Sequence, residues 1–288
     1  ASALLAFVFK FAMPVAVFNF FITSPPVSPD VLGMMAGYGL AAATLLVISM
    51  LVGVKLHGFS MPAAGGHSFT SVCGNAVFLG LPMALMIEDW GPPFLMLMIV
   101  EGVFVFSAGA ALMTWPTEKT PTAEGPIARL LRAILGGGKR IVTNPIVVAA
   151  LSGAILSLLR PDLPAPLAIF LDKLGATAGP TALFVIGLTL ATLPREGFAA
   201  ALPSVASVNL IKLLILPLVS VALVALFTGS DPLLMGVTAL FTVMPPAVSA
   251  VVQGAHYGVF EREAAASVMV GTIISILPIS IVLALFAG

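Results

Sequence analysis

Ser71-Val72-Cys73-Gly74-Asn75-Ala76-Val77-Phe78-Leu79-Gly80-Leu81-Pro82 decides how this chain is read. The stretch lies inside an apolar segment long enough to cross a bilayer, yet it holds two glycines, an asparagine and a proline. Proline removes a donor and clashes with the preceding turn. Glycine loosens the backbone. Backbone freed at membrane depth has to be satisfied by protein or by a water-filled cavity. The stretch therefore predicts a broken helix with Gly74, Gly80 and Pro82 as its breakers. A second candidate is Met244-Pro245-Pro246-Ala247-Val248-Ser249, broken by Pro245 and Pro246. Interrupted spans in both halves of a chain are a pointer to a transport site.

Composition sets the class. Hydrophobic residues make up 60% of the 288 positions and charged residues 8%, where a soluble domain carries roughly 25% charge. The apolar runs approach or exceed the ~20 residues that span a bilayer. The chain reads as an all-α polytopic membrane protein. Its formal net charge is zero, which gives no reason to expect nucleic acid. One cysteine, Cys73, excludes an intrachain disulfide and a cysteine-rich metal site. No basic stretch precedes an apolar segment with a cleavage pattern, so no signal peptide is predicted.

About nine spans are visible, near 3–22, 32–54, 69–87, 93–115, 142–159, 166–192, 199–227, 232–256 and 264–287. The connections are short and rich in proline, glycine or charge, as in Ser24-Pro25-Pro26-Val27-Ser28-Pro29-Asp30. The longest polar connection, 116–140, divides the chain into a first half, 1–115, and a second, 141–288. It carries Lys119, Arg129, Arg132, Lys139 and Arg140. By the positive-inside rule it is cytoplasmic, which also places Lys55, Arg195 and Arg262 inside. Arg160 falls outside with Asp30, Glu88, Asp89, Asp162 and Asp231. The C-terminus is then outside, and a bacterial inner membrane is expected.

The halves read as repeats. Met13-Pro14-Val15-Ala16-Val17-Phe18 matches Gly179-Pro180-Thr181-Ala182-Leu183-Phe184, and Asn75-Ala76-Val77 faces Pro246-Ala247-Val248. Trp90-Gly91 corresponds to Tyr257-Gly258, with offsets of about 166 to 171 residues. Pro14 lies on an outgoing span and Pro180 on an incoming one, so the repeats are inverted. The prediction is an inverted 5+5 helix repeat whose first helix is missing from the chain. The start, without Met and already apolar, favours truncation; a native nine-span protein is the other reading.

Four sets of residues also carry a resemblance. They are Gly74-Asn75-x-x-Phe78-x-Gly80-x-Pro82; Asn144-Pro145-Ile146; Pro180-x-Ala182-Leu183-Phe184-x-Ile186-Gly187-x-x-Leu190; and Met244-Pro245-Pro246-Ala247 with Tyr257-Gly258. In this order and spacing they resemble the auxin efflux carrier family of membrane transporters, including bacterial malonate or organic-acid permeases. The resemblance covers nearly the whole chain. It implies a scaffold bundle, a transport bundle and two broken crossover helices meeting near the midplane, in the manner of the bile acid/sodium symporter fold. Oligomer contacts, a homodimer among them, are expected on the scaffold side.

Several residues are candidates for the site. Asn75 offers an amide at a helix break, able to donate to a carboxylate or to cap a helix end. Half-helix N-termini add partial positive charge that favours anions. Pro245 and Pro246 leave upstream carbonyls open to a cation or a substrate hydroxyl, or simply kink the helix. Glu101, at mid-span, is a proton-carrier candidate by its depth, or a structural partner for a buried lysine or a backbone donor. Lys212 either attracts an anion, pairs with Glu101 or snorkels to the interface, and Lys10 invites the same alternatives. Gln253 is placed to meet substrate, whereas Asn19 suits an interhelical hydrogen bond. Phe78, with Phe18 and Phe184, either walls a ligand or packs.

Other motifs exclude classes. Gly136-Gly137-Gly138-Lys139-Arg140 lacks the spacing of a phosphate loop, so no ATP-driven module is expected. His57, His67 and His256 are isolated in sequence and form no zinc-protease motif. The expectation is a non-enzymatic secondary carrier of a small organic anion, a dicarboxylate or auxin-like acid, without a cofactor. Proton coupling, sodium coupling and the membrane potential alone all stay open. A sodium-coupled bile-acid-like symporter, a non-transporting sensor of the same ligands and a channel are the competing readings.

Overall fold

The computed structural model describes residues 2–23, 30–115, 145–159, 163–178, 180–181, 184 and 198–287. The expected linker 116–140 lies outside them, as do Arg160, Asp162, Ala182, Leu183, Ile186, Gly187, Leu190 and Arg195. Among the described residues the chain is helical, with one isolated bridge in place of any strand.

The helices are α1 (Ser2–Phe7), α2 (Met13–Thr23), α3 (Asp30–Lys55), α4 (Met61–Val72), α5 (Leu81–Ala84), α6 (Gly91–Val100) and α7 (Phe106–Met113). The second half supplies α8 (Pro145–Leu159), α9 (Ala165–Ala176), α10 (Phe198–Leu210), α11 (Leu216–Thr228), α12 (Pro232–Thr242), α13 (Val248–Tyr257), α14 (Glu261–Ile274) and α15 (Ile276–Phe286). The ends follow local chemistry. Asp231 caps α12, its Oδ1 accepting from the amides of Leu233 at 2.9 Å and Leu234 at 3.1 Å. Gly229 and Gly258 end α11 and α13 in the left-handed region, at φ +64° and +67°.

Among the described residues, four π-helical turns interrupt this regularity: Val8–Ala12, Ala76–Gly80, Glu101–Val105 and Ile211–Ile215. Each inserts a wider turn that re-aims the side chains around it. Lys10, Glu101 and Lys212 all sit in such turns.

Polarity is inverted relative to a soluble protein. Leu40, Val47, Leu51, Leu218, Leu226, Ile273 and Leu285 face outward, while Ser49, His67, Asn75, Glu101, Asn209, Lys212 and Thr242 are buried. That is the arrangement a hydrocarbon solvent selects, because polar groups are expensive against lipid. Among the described residues, three helical stretches are long and apolar enough to cross a membrane: Asp30–Lys55, Gly91–Met113 and Ala201–Thr228. The pair α14 and α15, bent by 45°, is a fourth if taken as one span.

The third expected span, 69–87, starts earlier in the structure. Helix α4 begins at Met61, with Pro62 in its first turn, and ends at Val72. Its Gly65-Gly66-His67-Ser68 stretch lowers the apolar signal, yet all four residues are buried. Helix α4 packs between α3 and α7, and α11 lies on the far side of α3. Helices α8 and α9 both pack on α2.

Close packing at α4 depends on small residues. A Cβ on Gly65 would stand 2.6 Å from the backbone carbon and 2.8 Å from the backbone oxygen of Leu112 on α7. Backbone cannot move aside as a flexible side-chain tip does, so α4 and α7 would have to separate. Gly65→Ala is expected to lower stability by about 1–3 kcal/mol, the usual range for overpacking, measured by reversible unfolding in detergent micelles. An unchanged midpoint would mean that the α4–α7 approach is looser than described.

Candidate functional site

Two interruptions meet in the interior. In the first, α4 stops at Val72, and Cys73 turns extended at φ −69° and ψ 122°. Gly74 follows, then Asn75 at φ −77° and ψ 55°, before the π turn Ala76–Gly80 resumes the helix. In the second, α12 stops at Thr242, and helix resumes at Val248 after Ala247, which is extended at φ −75° and ψ 142°. Pro245 and Pro246 explain the stop: neither has an amide hydrogen, and each pushes the residue before it out of helical geometry.

The interruptions complete one another. The amide of Asn75 donates to the carbonyl of Pro245 at 2.8 Å, and the amide of Ala247 donates to the carbonyl of Cys73 at 3.1 Å. Gly74 and Pro246 sit opposite each other as an antiparallel bridge. Each break thus supplies donors and acceptors for the other where water is excluded.

Two buried charges flank the bridge. Glu101 is 4% exposed. Its Oε1 accepts from the Gly74 amide at 3.2 Å and the Cys73 thiol at 3.5 Å, and its Oε2 accepts from the Tyr38 hydroxyl at 2.9 Å. Lys212 has no exposed surface, and its Nζ donates to the carbonyl of Thr242, the last residue of α12, at 2.9 Å. The carboxylate therefore faces a backbone amide between the two arms of the first break, and the ammonium faces a carbonyl where an arm ends. The sign of the ammonium matches the partial negative charge of a helix C-terminus. A Cβ on Gly74 would stand 2.9 Å from the Lys212 Nζ, so glycine there makes room for the ammonium. The two charges make no direct ion pair, but each lies within the other's field.

Asn75 is buried at 4% exposure and joins the bridge through its backbone; its side chain caps neither helix end. Pro245 and Pro246 are buried in the bridge. Phe78 is half-buried against the core. Gly80 and Pro82 lie beyond the interruption: Gly80 closes the π turn and Pro82 sits in the first turn of α5, where proline is tolerated. Gln253 is on α13, four residues after Ser249 and on the same face, and its Oε1 is buried without a hydrogen-bond partner. Ser249 Oγ lies 3.8 Å from the Cys73 thiol, so this face leads from the bridge to Gln253. Lys10 and Phe184 are exposed and Asn19 is half-buried, and the structure does not bring these three to the bridge.

Tyr38, Ser249 and the Thr242 carbonyl belong to this arrangement and escaped the sequence reading. Tyr38 lay within an ordinary apolar span, with only its hydroxyl to hint at a partner. No residue pattern marked the π turns that aim Glu101 and Lys212 inward.

The profile of a family described as membrane transport protein matches residues 1–283. A protein of Rhizobium meliloti (strain 1021) carrying the name "Putative malonate transporter" is 25% identical over 237 residues, which cover 81% of this chain and 71% of that protein.

The shared field of the two charges has a measurable consequence. Glu101→Gln removes the counter-charge of a buried ammonium, and Lys212→Met that of a buried carboxylate. The double variant is expected to lose less stability than the sum of the single losses, by about 0.5–3 kcal/mol, in a thermodynamic cycle measured by unfolding in micelles. Strict additivity would show that the charges act independently.

Proposed function

We propose that this chain, which belongs to the membrane transport protein family of the auxin efflux carriers, is a secondary carrier of small organic anions with a dicarboxylate such as malonate as its substrate. Membership in that family makes it an integral membrane transport protein and not an enzyme. The observation that carries the finer reading is the paired break. Two helical arms, one starting after Asn75 and one after Ala247, begin side by side at the bridge. The first amides of a helix have no partner within it, and the helix dipole adds partial positive charge there. Together they form an electropositive point in a water-poor interior, which suits a carboxylate. Asn75, whose side chain caps neither helix, and Gln253, with an unpartnered oxygen, flank it. The name of the Rhizobium meliloti relative agrees with this substrate class.

The residue offsets between the halves and the pairing of Gly74 with Pro246 support an inverted repeat with crossover helices, working by alternating access. For coupling, Lys212 already places a positive charge on the Thr242 carbonyl beside Pro245, where a sodium ion would otherwise find its ligands. This favours a proton on Glu101, or the membrane potential, over sodium. The lysine and arginine pattern supports an inner-membrane orientation with 116–140 in the cytoplasm and the C-terminus outside.

Counterflow of labelled malonate, malate and indole-3-acetate in proteoliposomes tests the reading. Wild type is expected to show saturable malonate flux. Asn75→Ala is expected to lose roughly 10-fold or more, about the worth of one charge-assisted hydrogen bond, with its fold intact. Glu101→Gln is expected to keep counterflow but to lose the response to an imposed pH gradient. Ligand binding without flux would make the protein a sensor, and full activity in Asn75→Ala would place the carboxylate elsewhere.

A further inference from the structure

A groove of about 580 Å³ runs between α10, with the π turn that follows it, and the bent pair α14–α15. Leu202, Leu210 and Leu214 line one side, and Val270, Leu277 and Ile281 line the other. The lining thus crosses the 45° bend between α14 and α15. Its leucines and Ile281 are exposed, so the groove opens on the lipid side. Among the lining residues only Asn209, on α10, has a polar side chain.

The partners of Asn209 fix which way its carboxamide points. Nδ2 donates to the carbonyl of Val205 at 2.9 Å and to that of Ser267 on α14 at 3.3 Å. Carbonyls only accept, so the nitrogen faces them and Oδ1 faces away. The residue is 6% exposed, and no donor among the described residues reaches Oδ1. Asn209 lies eight residues past Ala201, roughly 12 Å along the apolar stretch Ala201–Thr228. Water is not at hand at that depth, and an acceptor left bare there is costly. Oδ1 rests on Gly271 of α14, where a Cβ would collide with it and would stand 2.5 Å from Cδ of Pro246. One glycine therefore separates the groove from the second break.

We propose that this groove binds a single-chain lipid alcohol, its chain along the leucines and its hydroxyl donating to Oδ1 of Asn209. An apolar lining with one placed polar group is the usual make-up of a small-molecule site, and the volume falls in the usual range. A plain acyl chain fills the groove but leaves Oδ1 bare. A carboxylate or an ammonium is refused, because no lining residue carries a counter-charge. Seated there, the hydroxyl bears on Gly271 and through it on Pro246, which gives the membrane a handle on the second break. The site is separate from the carboxylate site and does not depend on it.

The test uses the full chain in nanodiscs of phosphatidylcholine, a lipid without a hydroxyl. The probes are a photoreactive hexadecanol, with a diazirine along its chain, and its methyl ether, which lacks the donor. Labelled peptides are mapped by mass spectrometry. In wild type the alcohol is expected to label 202–214 and 270–281 roughly 10-fold more than the ether, about the worth of one buried hydrogen bond. At Leu40, Val47 and Leu51, on the lipid-facing side of α3, the two are expected to label equally. Ala206→Trp, at the exposed wall of the groove, is expected to lower groove labelling by both. Asn209→Leu is expected to erase the preference for the alcohol, and the wild-type comparison stands by itself if that variant does not fold. Equal groove labelling by alcohol and ether in wild type, or a preference that survives Asn209→Leu, overturns the proposal.

Discussion

The amide of Asn75 on the carbonyl of Pro245, and that of Ala247 on the carbonyl of Cys73, are the two bonds on which the interior depends. A helix interrupted inside a bilayer exposes backbone groups that lipid cannot satisfy. Each left bare costs several kcal/mol. A single break would be ruinous, whereas two breaks in antiparallel register satisfy each other. The prolines then have a second use. They stop α12 without adding amides that would need partners, and so leave only as many donors as the other break can take.

The buried charges follow from the same constraint. Placing Glu101 and Lys212 out of water is costly, and neither is neutralised by direct contact with the other. Each instead completes a piece of backbone that the bridge leaves open: the amide of Gly74 for the carboxylate, and the carbonyl of Thr242 for the ammonium. The ammonium meets the carbonyl end of α12, so the dipole of that arm repays part of its desolvation. Tyr38 adds a hydroxyl from α3 and ties the carboxylate to the surrounding bundle. The bridge is thereby anchored to three further helical stretches, those that carry Tyr38, Glu101 and Lys212. The arms that leave it stay free to present their first amides.

Some of this was legible in the sequence and some was not. Composition gave the membrane class, since 8% charge cannot dress a soluble surface. Gly74, Pro245 and Pro246 marked the breaks because backbone chemistry is local. Helix α4 starts at Met61, ahead of the expected 69, because Gly65, Gly66, His67 and Ser68 look polar in a hydropathy window although protein, not lipid, surrounds them. Gly80 and Pro82 looked like breakers because their types are suggestive, yet the turn that resumes the helix accommodates both. The register of the bridge and the reach of Tyr38 are tertiary events between segments far apart in sequence. No period in the sequence encodes them.

If the paired breaks form the substrate site of a moving carrier, the single cysteine of the chain reports on it. Cys73 is at the bridge, fully buried, within 3.8 Å of Ser249 and 3.5 Å of Glu101. The most direct measurement is the rate at which a small water-soluble thiol reagent labels Cys73 in proteoliposomes, with and without malonate. Alternating access predicts slow labelling, because the bridge opens to water in only part of the cycle, and a rate that changes with malonate and saturates. A thiol that is never labelled, or one labelled at a rate indifferent to malonate, would contradict a substrate site at the crossing.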